Sequence, residues 1–310
     1  MDATKLSFAL CLAAPSILCF AVFSAADYEA MKCDASRTTA FYKAIDTLCP
    51  DRLVLDLGTG ATALLAIRAA EAGARRVYAV EISESSAARA AERIEAAGLS
   101  HRIQVLVGDS KELQLPERVD VVVHEILGEI ASREGVVPSL RDARRRHLRA
   151  AEGAWSIPAR AATWIAPATM PSSEYFTAYR EQSGTLLLAP GPDERFWRLP
   201  QLPVQSCQLS TPQVFEELSW REDAEPELKQ RRSLRFPVAR AGILAGFVFY
   251  ITVECGGGAD VVSSAPSESH WANPFCRVLE PVAVSQEDEI IVKAEADLSG
   301  EVPRYAIGAS

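Results

Sequence analysis

From residue 35 to about 149 the chain alternates two hydrophobic rhythms. Short aliphatic runs such as Leu53-Val54-Leu55, Val77-Tyr78-Ala79-Val80 and Val121-Val122-Val123 are separated by longer Ala-rich stretches whose apolar positions return every three or four residues. A short continuous apolar run reads as a strand buried on both faces, and a 3.6-residue recurrence as an amphipathic helix. The pattern predicts helices over 35–48, 63–72, 85–97 and 138–149, and strands over 53–57, 76–80, 103–107 and 119–124. Strands alternating with helices imply βαβ units and a parallel, doubly wound sheet. Beyond about residue 156 the rhythm changes. Strand-like runs at 162–166, 186–188, 234–237, 246–253, 275–279 and 289–294, broken by Pro and Gly, predict an antiparallel barrel or sandwich. The segment 170–213 holds six of the eighteen prolines and reads as a long excursion.

Length and composition sharpen this picture. At roughly 100–200 residues per domain, 310 residues that are 48% hydrophobic suit two cored domains and exclude a disordered or coiled-coil chain. We divide the chain into an apolar leader (1–26), an α/β domain (27–157) and a β domain (158–310). A net charge of -9 argues against direct nucleic-acid binding, which needs basic residues on phosphates, and favours a cationic partner such as a basic peptide. Seven Cys without a CxxC spacing and only four His leave no metal set, so no metal is expected. The odd number of thiols suits a reducing compartment, cytoplasm or nucleus. The stretch 6–26 carries no charge over 21 residues and leaves three readings open: a targeting leader or membrane anchor, an apolar helix buried in the fold, or a start assigned too early.

Candidate chemistry begins at Asp56-Leu57-Gly58-Thr59-Gly60, where a buried strand runs into a glycine turn and then a helix. Gly58 and Gly60 allow a tight turn and a close backbone approach, and the following helix N-terminus offers free N–H groups. Glu81 ends the next strand about twenty residues on, where an acid can accept hydrogen bonds from both hydroxyls of a ribose. Thr62 stands where a third glycine would be, which suits an adenosyl cofactor better than a pyrophosphate. Asp109, after strand 103–107, is placed to reach an adenine edge or to cap a loop. Next comes His124-Glu125-Ile126-Leu127-Gly128-Glu129-Ile130-Ala131-Ser132-Arg133-Glu134-Gly135. It follows a strand whose carboxyl end faces the ligand side of an open sheet, so three carboxylates crowd the mouth of the site.

Glu125 and Glu134, nine positions apart around a glycine-bearing loop, resemble the double-glutamate hairpin of the protein arginine methyltransferases. Tyr28-Glu29-Ala30-Met31-Lys32-Cys33-Asp34-Ala35-Ser36-Arg37-Thr38 is similar to that family's segment upstream of the cofactor motif. Pro138-Ser139-Leu140, Arg146-His147-Leu148 and Ile157-Pro158-Ala159-Arg160-Ala161 resemble its helix and proline crossover. Ser269-His270-Trp271-Ala272-Asn273-Pro274-Phe275, followed by Leu279-Glu280-Pro281, resembles its Thr-His-Trp loop. In order and spacing the resemblance covers about residues 27 to 300.

The resemblance implies a Rossmann-like class I methyltransferase sheet followed by an antiparallel β-barrel, with S-adenosylmethionine as cofactor and arginine-containing proteins, histones among them, as substrates. It implies that Met31, Arg37, Asp56, Gly58, Gly60, Glu81, Asp109 and Glu125 line the cofactor site. Glu125 and Glu134 would clamp the guanidinium beside Trp271, and His270 would pair with Asp34. The run 134–139 looks most like the monomethylating branch. A homodimer through 170–213 is expected, and a membrane partner only if the leader is retained. Ile126 in place of an aromatic, Ser269 in place of Thr, and the apolar leader in place of an aromatic-rich helix depart from the pattern. They keep two rivals in view, a methyltransferase for another acceptor and a noncatalytic cofactor-binding scaffold.

Overall fold

The computed structural model of the chain describes residues 8–12, 34–149, 155–183, 195–221, 225–266 and 269–309. Met31 lies outside the described residues, as does the strand-like run 186–188. The first element is a strand, β1 (Phe8–Leu12), inside the apolar leader. Helix α1 (Ala35–Leu48) starts at Asp34, whose side chain accepts from the Arg37 backbone N–H. It is followed by β2 (Leu53–Leu57), α2 (Leu64–Glu71), β3 (Arg76–Glu81), α3 (Glu84–Ala96), β4 (Ile103–Val107), β5 (Val121–His124), α4 (Val136–Arg146) and β6 (Ser156–Ile157). The five strands β2 to β6 form one parallel sheet in the order β4-β3-β2-β5-β6. β2 is its middle strand and is buried at every position, which is why it reads as an unbroken aliphatic run. Ser83 caps α3 by accepting from the Ser86 N–H, and Glu84 sits in the first turn where the helix dipole favours a negative charge.

The second half continues through β7 (Arg160–Ala168), α5 (Ser173–Ser183), β8 (Phe196–Leu199), α6 (Val204–Cys207), β9 (Gln213–Ser219), β10 (Lys229–Pro237), β11 (Gly242–Glu254), β12 (Val262–Ser263), β13 (Asn273–Val284), β14 (Glu289–Asp297) and β15 (Arg304–Ala309). These strands make two antiparallel sheets, β8-β13-β11-β7-β9 with β12 on β11, and β1-β15-β14-β10. Together they form the β-barrel half, in whose interior the Phe215 ring packs against those of Phe249 and Tyr305. β1 pairs with β15 from Phe8 opposite Ala309 to Leu12 opposite Tyr305, so part of the apolar leader extends this sheet. Among the described residues no helix is long and apolar enough to cross a membrane.

Two expectations shift. The helix expected at 138–149 runs from Val136 to Arg146, because Gly135 in the left-handed region starts it and Leu148 then bridges Val119 at the sheet. The excursion 170–213 contains the helices α5 and α6 and the edge strand β8, and β9 begins at its end; β9 carries Glu216 and Glu217 among its apolar positions and so hides its strand character.

Gly246 marks the tightest point of the barrel. It sits beside a register shift in β11, and a Cβ there would lie 2.3 Å from the Cys276 carbonyl oxygen and 2.7 Å from the Phe275 ring. The strand is paired on both sides, with Arg277 and with Ala168, so neither backbone can give way. Gly246→Ala is therefore expected to destabilise by about 3 kcal/mol, at the upper end for overpacking. Urea denaturation would show this as a lowered midpoint, and an unchanged midpoint would contradict it.

Candidate active site

The site is built where β2, β3, β4 and β5 end. After Leu57 the chain turns through Gly58 (φ 76°) and Gly60 (φ 65°). A side chain at Gly58 would need both a disfavoured φ and a position 3.0 Å from the Ile126 side chain, which packs over the turn. Asp56 supports the turn from below. It is 1% exposed, accepts from Thr59 Oγ1 at 2.5 Å, and burial pushes its carboxyl up to about 7.

Glu81 lies across from this turn. One carboxylate oxygen accepts from the Gly60 N–H at 2.9 Å and the other from the Ser83 N–H at 2.9 Å. Each oxygen keeps a further lone pair, so a vicinal diol can still bind. Immediately beyond, Ile82 is 43% exposed and Val107, at the end of β4, is 48% exposed. Apolar side chains left bare just past β3 and at the end of β4 form a floor that a flat ring would cover. These two residues escaped the sequence reading; the available signal was an apolar residue directly after the strand-ending acid. Asp109 is half-buried beside them, with one carboxylate oxygen accepting from the Lys111 N–H at 2.9 Å. The set fits a nucleoside with a free diol.

The acidic loop closes the other side. Glu125, partly buried at 14% side-chain exposure, is held by Arg37 Nη2 at 2.7 Å and by Trp271 Nε1 at 3.3 Å. Burial pushes its carboxyl up, and the Arg37 guanidinium pulls it back. Arg37 is 5% exposed, and its guanidinium stands 5.9 Å from the Phe41 ring centre and 5.8 Å from that of Trp271. Asp34 joins the two halves: one oxygen accepts from the Arg37 N–H at 3.0 Å and the other from the His270 N–H at 2.9 Å. The fold thus brings Asp34, Arg37, Glu125, His270 and Trp271 together from positions as much as 237 apart in sequence.

Glu134 is exposed at the mouth, and the protein around its carboxyl still strips part of its hydration. That desolvation, reinforced by the charges of Glu125 and Glu129, holds its carboxyl up to about 8 against the weaker pull of Arg198 and Arg133. Glu129 is committed elsewhere, pairing with Arg198 and, at 3.7 Å, with Arg133. His124 is fully buried, so its ring stays neutral; it lies edge-on to Trp220 and 3.3 Å from Ser156 Oγ. Among the described residues no group of three His, Cys, Asp or Glu is arranged to hold a metal. The arrangement offers a diol acceptor and an apolar floor on one side and, on the other, paired carboxylates suited to a planar cation.

Residues 54–149 match the family described as Methyltransferase domain. The chain is 29% identical over 270 residues, 84% of its own length, to Arabidopsis thaliana "Probable protein arginine N-methyltransferase 6", covering 61% of that protein. It is 40% identical over 116 residues, 37% of its length, to Arabidopsis thaliana "Protein arginine N-methyltransferase PRMT10", covering 29% of it. It is 28% identical over 253 residues, 76% of its length, to Drosophila willistoni "Histone-arginine methyltransferase CARMER", covering 46%. The chain therefore spans between 29% and 61% of these curated relatives. In fold it is similar to the Trypanosoma brucei PRMT1 enzyme-prozyme heterotetrameric complex with AdoHcy, with a TM-score of 0.68, 20% identity and 87% of each chain covered. It is similar also to Arabidopsis thaliana Protein Arginine Methyltransferase 10, with a TM-score of 0.66, 23% identity, and 91% and 96% covered.

Proposed function

We propose that this chain, which resembles the protein arginine N-methyltransferases in sequence over most of its length and in fold, transfers a methyl group from S-adenosylmethionine to a guanidinium nitrogen of arginine in proteins. The observation that carries this reading is the pairing of Glu125 and Glu134 on one loop at the carboxyl ends of the strands, beside a separate diol-binding acid, Glu81. S-adenosylmethionine, when bound, supplies an electrophilic methyl on its sulfonium sulfur. Glu81 would hold the ribose hydroxyls over Ile82 and Val107, with Asp109 at the base edge, and Arg37 would hold the amino-acid carboxylate. Gly58 and Gly60 would let the backbone come close, with Asp56 steadying the turn. Met31 belongs to this proposed set through the resemblance alone.

A guanidinium is protonated at neutral pH and its nitrogens are weak nucleophiles. Glu125 and Glu134 would each accept its N–H donors, drawing positive charge toward the carboxylates and leaving one terminal nitrogen richer in electrons and correctly aimed. Fixing that approach is itself a large rate term. The proton released after transfer has a suitable acceptor in a Glu134 carboxylate oxygen, whose affinity for protons the cleft already raises. His270, beside Asp34 at the rim, would carry it outward, and Trp271 would wall the substrate side while fixing Glu125.

The net charge of -9 supports basic protein segments as substrates, and the name of the Drosophila relative makes histone tails the first to try. We further infer a division at Pro158 between the cofactor domain (27–157) and the substrate domain (158–310), a homodimer through the 170–213 region, and a cytoplasmic or nuclear setting. The test is methyl transfer from S-adenosylmethionine to histone tails and a Gly/Arg-rich peptide, with amino-acid analysis of the product. Methylarginine is expected, and its mono- or dimethyl form reads out the branch. Folded, cofactor-binding protein that yields none would overturn the reading.

Glu81→Ala tests the cofactor half. It removes a charged acceptor from both ribose hydroxyls, at about 1.5–3 kcal/mol for each such bond, so S-adenosylmethionine affinity should fall at least about 100-fold. Calorimetric titration checks it, and unchanged affinity would move the diol site elsewhere.

A further inference from the structure

Two residues before Glu134, the acidic loop is fastened to the barrel by a chain of buried polar groups. Glu216, on β9, has no exposed surface. One of its oxygens accepts from the Ser132 N–H at 3.0 Å and from Thr163 Oγ1 at 2.9 Å, and the other accepts from Ser132 Oγ at 2.7 Å. Ser132 Oγ lies 2.7 Å from the Tyr305 hydroxyl on β15, and Thr163 Oγ1, on β7, accepts from the Ala131 N–H at 2.9 Å.

The direction of every bond follows from the inventory of donors. Burial raises the Glu216 carboxyl and the donors around it draw it back; with the carboxylate ionised it only accepts, so Ser132 and Thr163 each give it their single hydroxyl proton. Ser132 Oγ can then only accept from Tyr305, and Thr163 Oγ1 only from Ala131. Ser132, Thr163, Glu216 and Tyr305 are all buried, so a wrongly turned proton has no water to correct it. Three strands of the barrel, β7, β9 and β15, thus converge on two consecutive loop residues. Nothing comparable ties 131–132 to the parallel sheet among the hydrogen bonds of the described residues.

We propose that Glu216 is a positioning residue for methyl transfer: through Ser132 it fixes the loop segment that carries Glu134, making the barrel the part of the fold that sets the spacing of the carboxylate clamp. The role rests on the arginine-methylation reading above. Glu216→Gln is the informative change. Its amide nitrogen faces Ser132 Oγ, which turns the serine proton toward Tyr305 and leaves the tyrosine proton without an acceptor. Tyr305→Phe removes that hydroxyl but leaves the Ser132 proton unpaired in its place, so the double variant should lose little more than Glu216→Gln alone, a non-additivity that independent structural damage would not produce.

The experiment uses the full chain, S-adenosylmethionine and a Gly/Arg-rich peptide, with hydrogen exchange measured alongside. For Glu216→Gln we expect kcat to fall about 10- to 100-fold, as a displacement of the clamp on the order of 1 Å would cause, with cofactor affinity within about threefold of wild type. Exchange should quicken at 130–135 and stay unchanged in β2. Ser132→Ala, which leaves β9 untouched, should show the same pattern more mildly and serves if Glu216→Gln does not fold. Unchanged kcat in folded variants, unchanged exchange at 130–135, or losses from Glu216→Gln and Tyr305→Phe that simply add in the double variant would overturn the proposal. If wild type makes no methylarginine, the functional reading falls, and the exchange at 130–135 alone decides whether Glu216 holds the loop.

Discussion

Replacing Glu134 with Gln should lower methyl transfer to an arginine peptide by about 10²- to 10³-fold, the loss typical of removing one preorganised electrostatic partner from an active site. Gln keeps the shape and loses the charge. One oxygen can still accept a hydrogen bond, but the added amide donor faces guanidinium donors and no longer draws their positive charge. Because Glu134 stands apart from Glu81 and the glycine turn, cofactor affinity should remain within about threefold, and a calorimetric titration beside the kinetic assay separates the two. Equal loss of both would place Glu134 in the fold or the cofactor site. Retained turnover would remove the guanidinium clamp and favour another acceptor.

The raised proton affinity of Glu134 adds a pH signature. Its carboxyl is held up to about 8 in the free protein, so below that pH it is largely neutral. A bound guanidinium favours the ionised form. Peptide binding therefore releases a proton, and affinity should climb as pH rises toward about 8 and level off above it. In Glu134→Gln this rise should be lost. Measuring peptide dissociation constants between pH 6 and 9 on both proteins checks the sign; affinity that falls with rising pH would contradict it.

Arg37→Ala is the second large effect, and it acts on both halves of the site. Arg37 and Glu125 form an ion pair at 2.7 Å with side-chain exposures of 7% and 14%. Breaking a fully buried pair from one side costs about 3–5 kcal/mol, because the remaining charge stays desolvated. Glu125 keeps a little water, so the lower end of that range is expected. The protein can avoid much of that penalty by protonating Glu125, which the guanidinium of Arg37 now opposes. Turnover at pH 7 should fall about 100-fold or more, and the rising limb of its pH profile should move to higher pH as Glu125 becomes harder to ionise. Arg37→Lys should rescue poorly, since a point charge cannot reproduce the planar fork between Phe41 and Trp271. A pH profile unmoved in Arg37→Ala would show that the pair does not set the ionisation of Glu125.

Much of this architecture is written locally in the chain. Leu53 to Leu57 reads as a buried strand, because a run of mostly aliphatic residues this short, ending in a glycine turn, is too brief for a helix, and the structure buries all five positions. The Gly58 and Gly60 turn, the strand-ending Glu81 and the Glu125 to Glu134 loop are likewise legible, since each depends on neighbours within a few residues or on a repeated strand-to-helix order. The same locality explains what stayed hidden. β9 mixes Glu216 and Glu217 with Val214, Phe215 and Leu218, and one of its buried side chains is a glutamate, so its pattern argues against the strand it forms. Phe8–Leu12 carries no sign of pairing with Tyr305–Ala309, because an uncharged run is compatible with helix, strand or leader until a partner edge is present.

The site shows the same divide. Sequence spacing put Glu125 and Glu134 on one loop, and it alone determined the order of strands and helices that carries them to the mouth of a parallel sheet. It could not say that Arg37 would neutralise one carboxylate while the other keeps its proton to about 8, since desolvation and charge depend on distances between groups far apart in the chain. Nor could it join Ser132 to Glu216, Thr163 and Tyr305, which lie 84, 31 and 173 positions away. Local propensity and periodicity act over a turn of helix or a pair of strand residues; the burial that charges, neutralises or orients a carboxylate exists only once the barrel has closed on the loop.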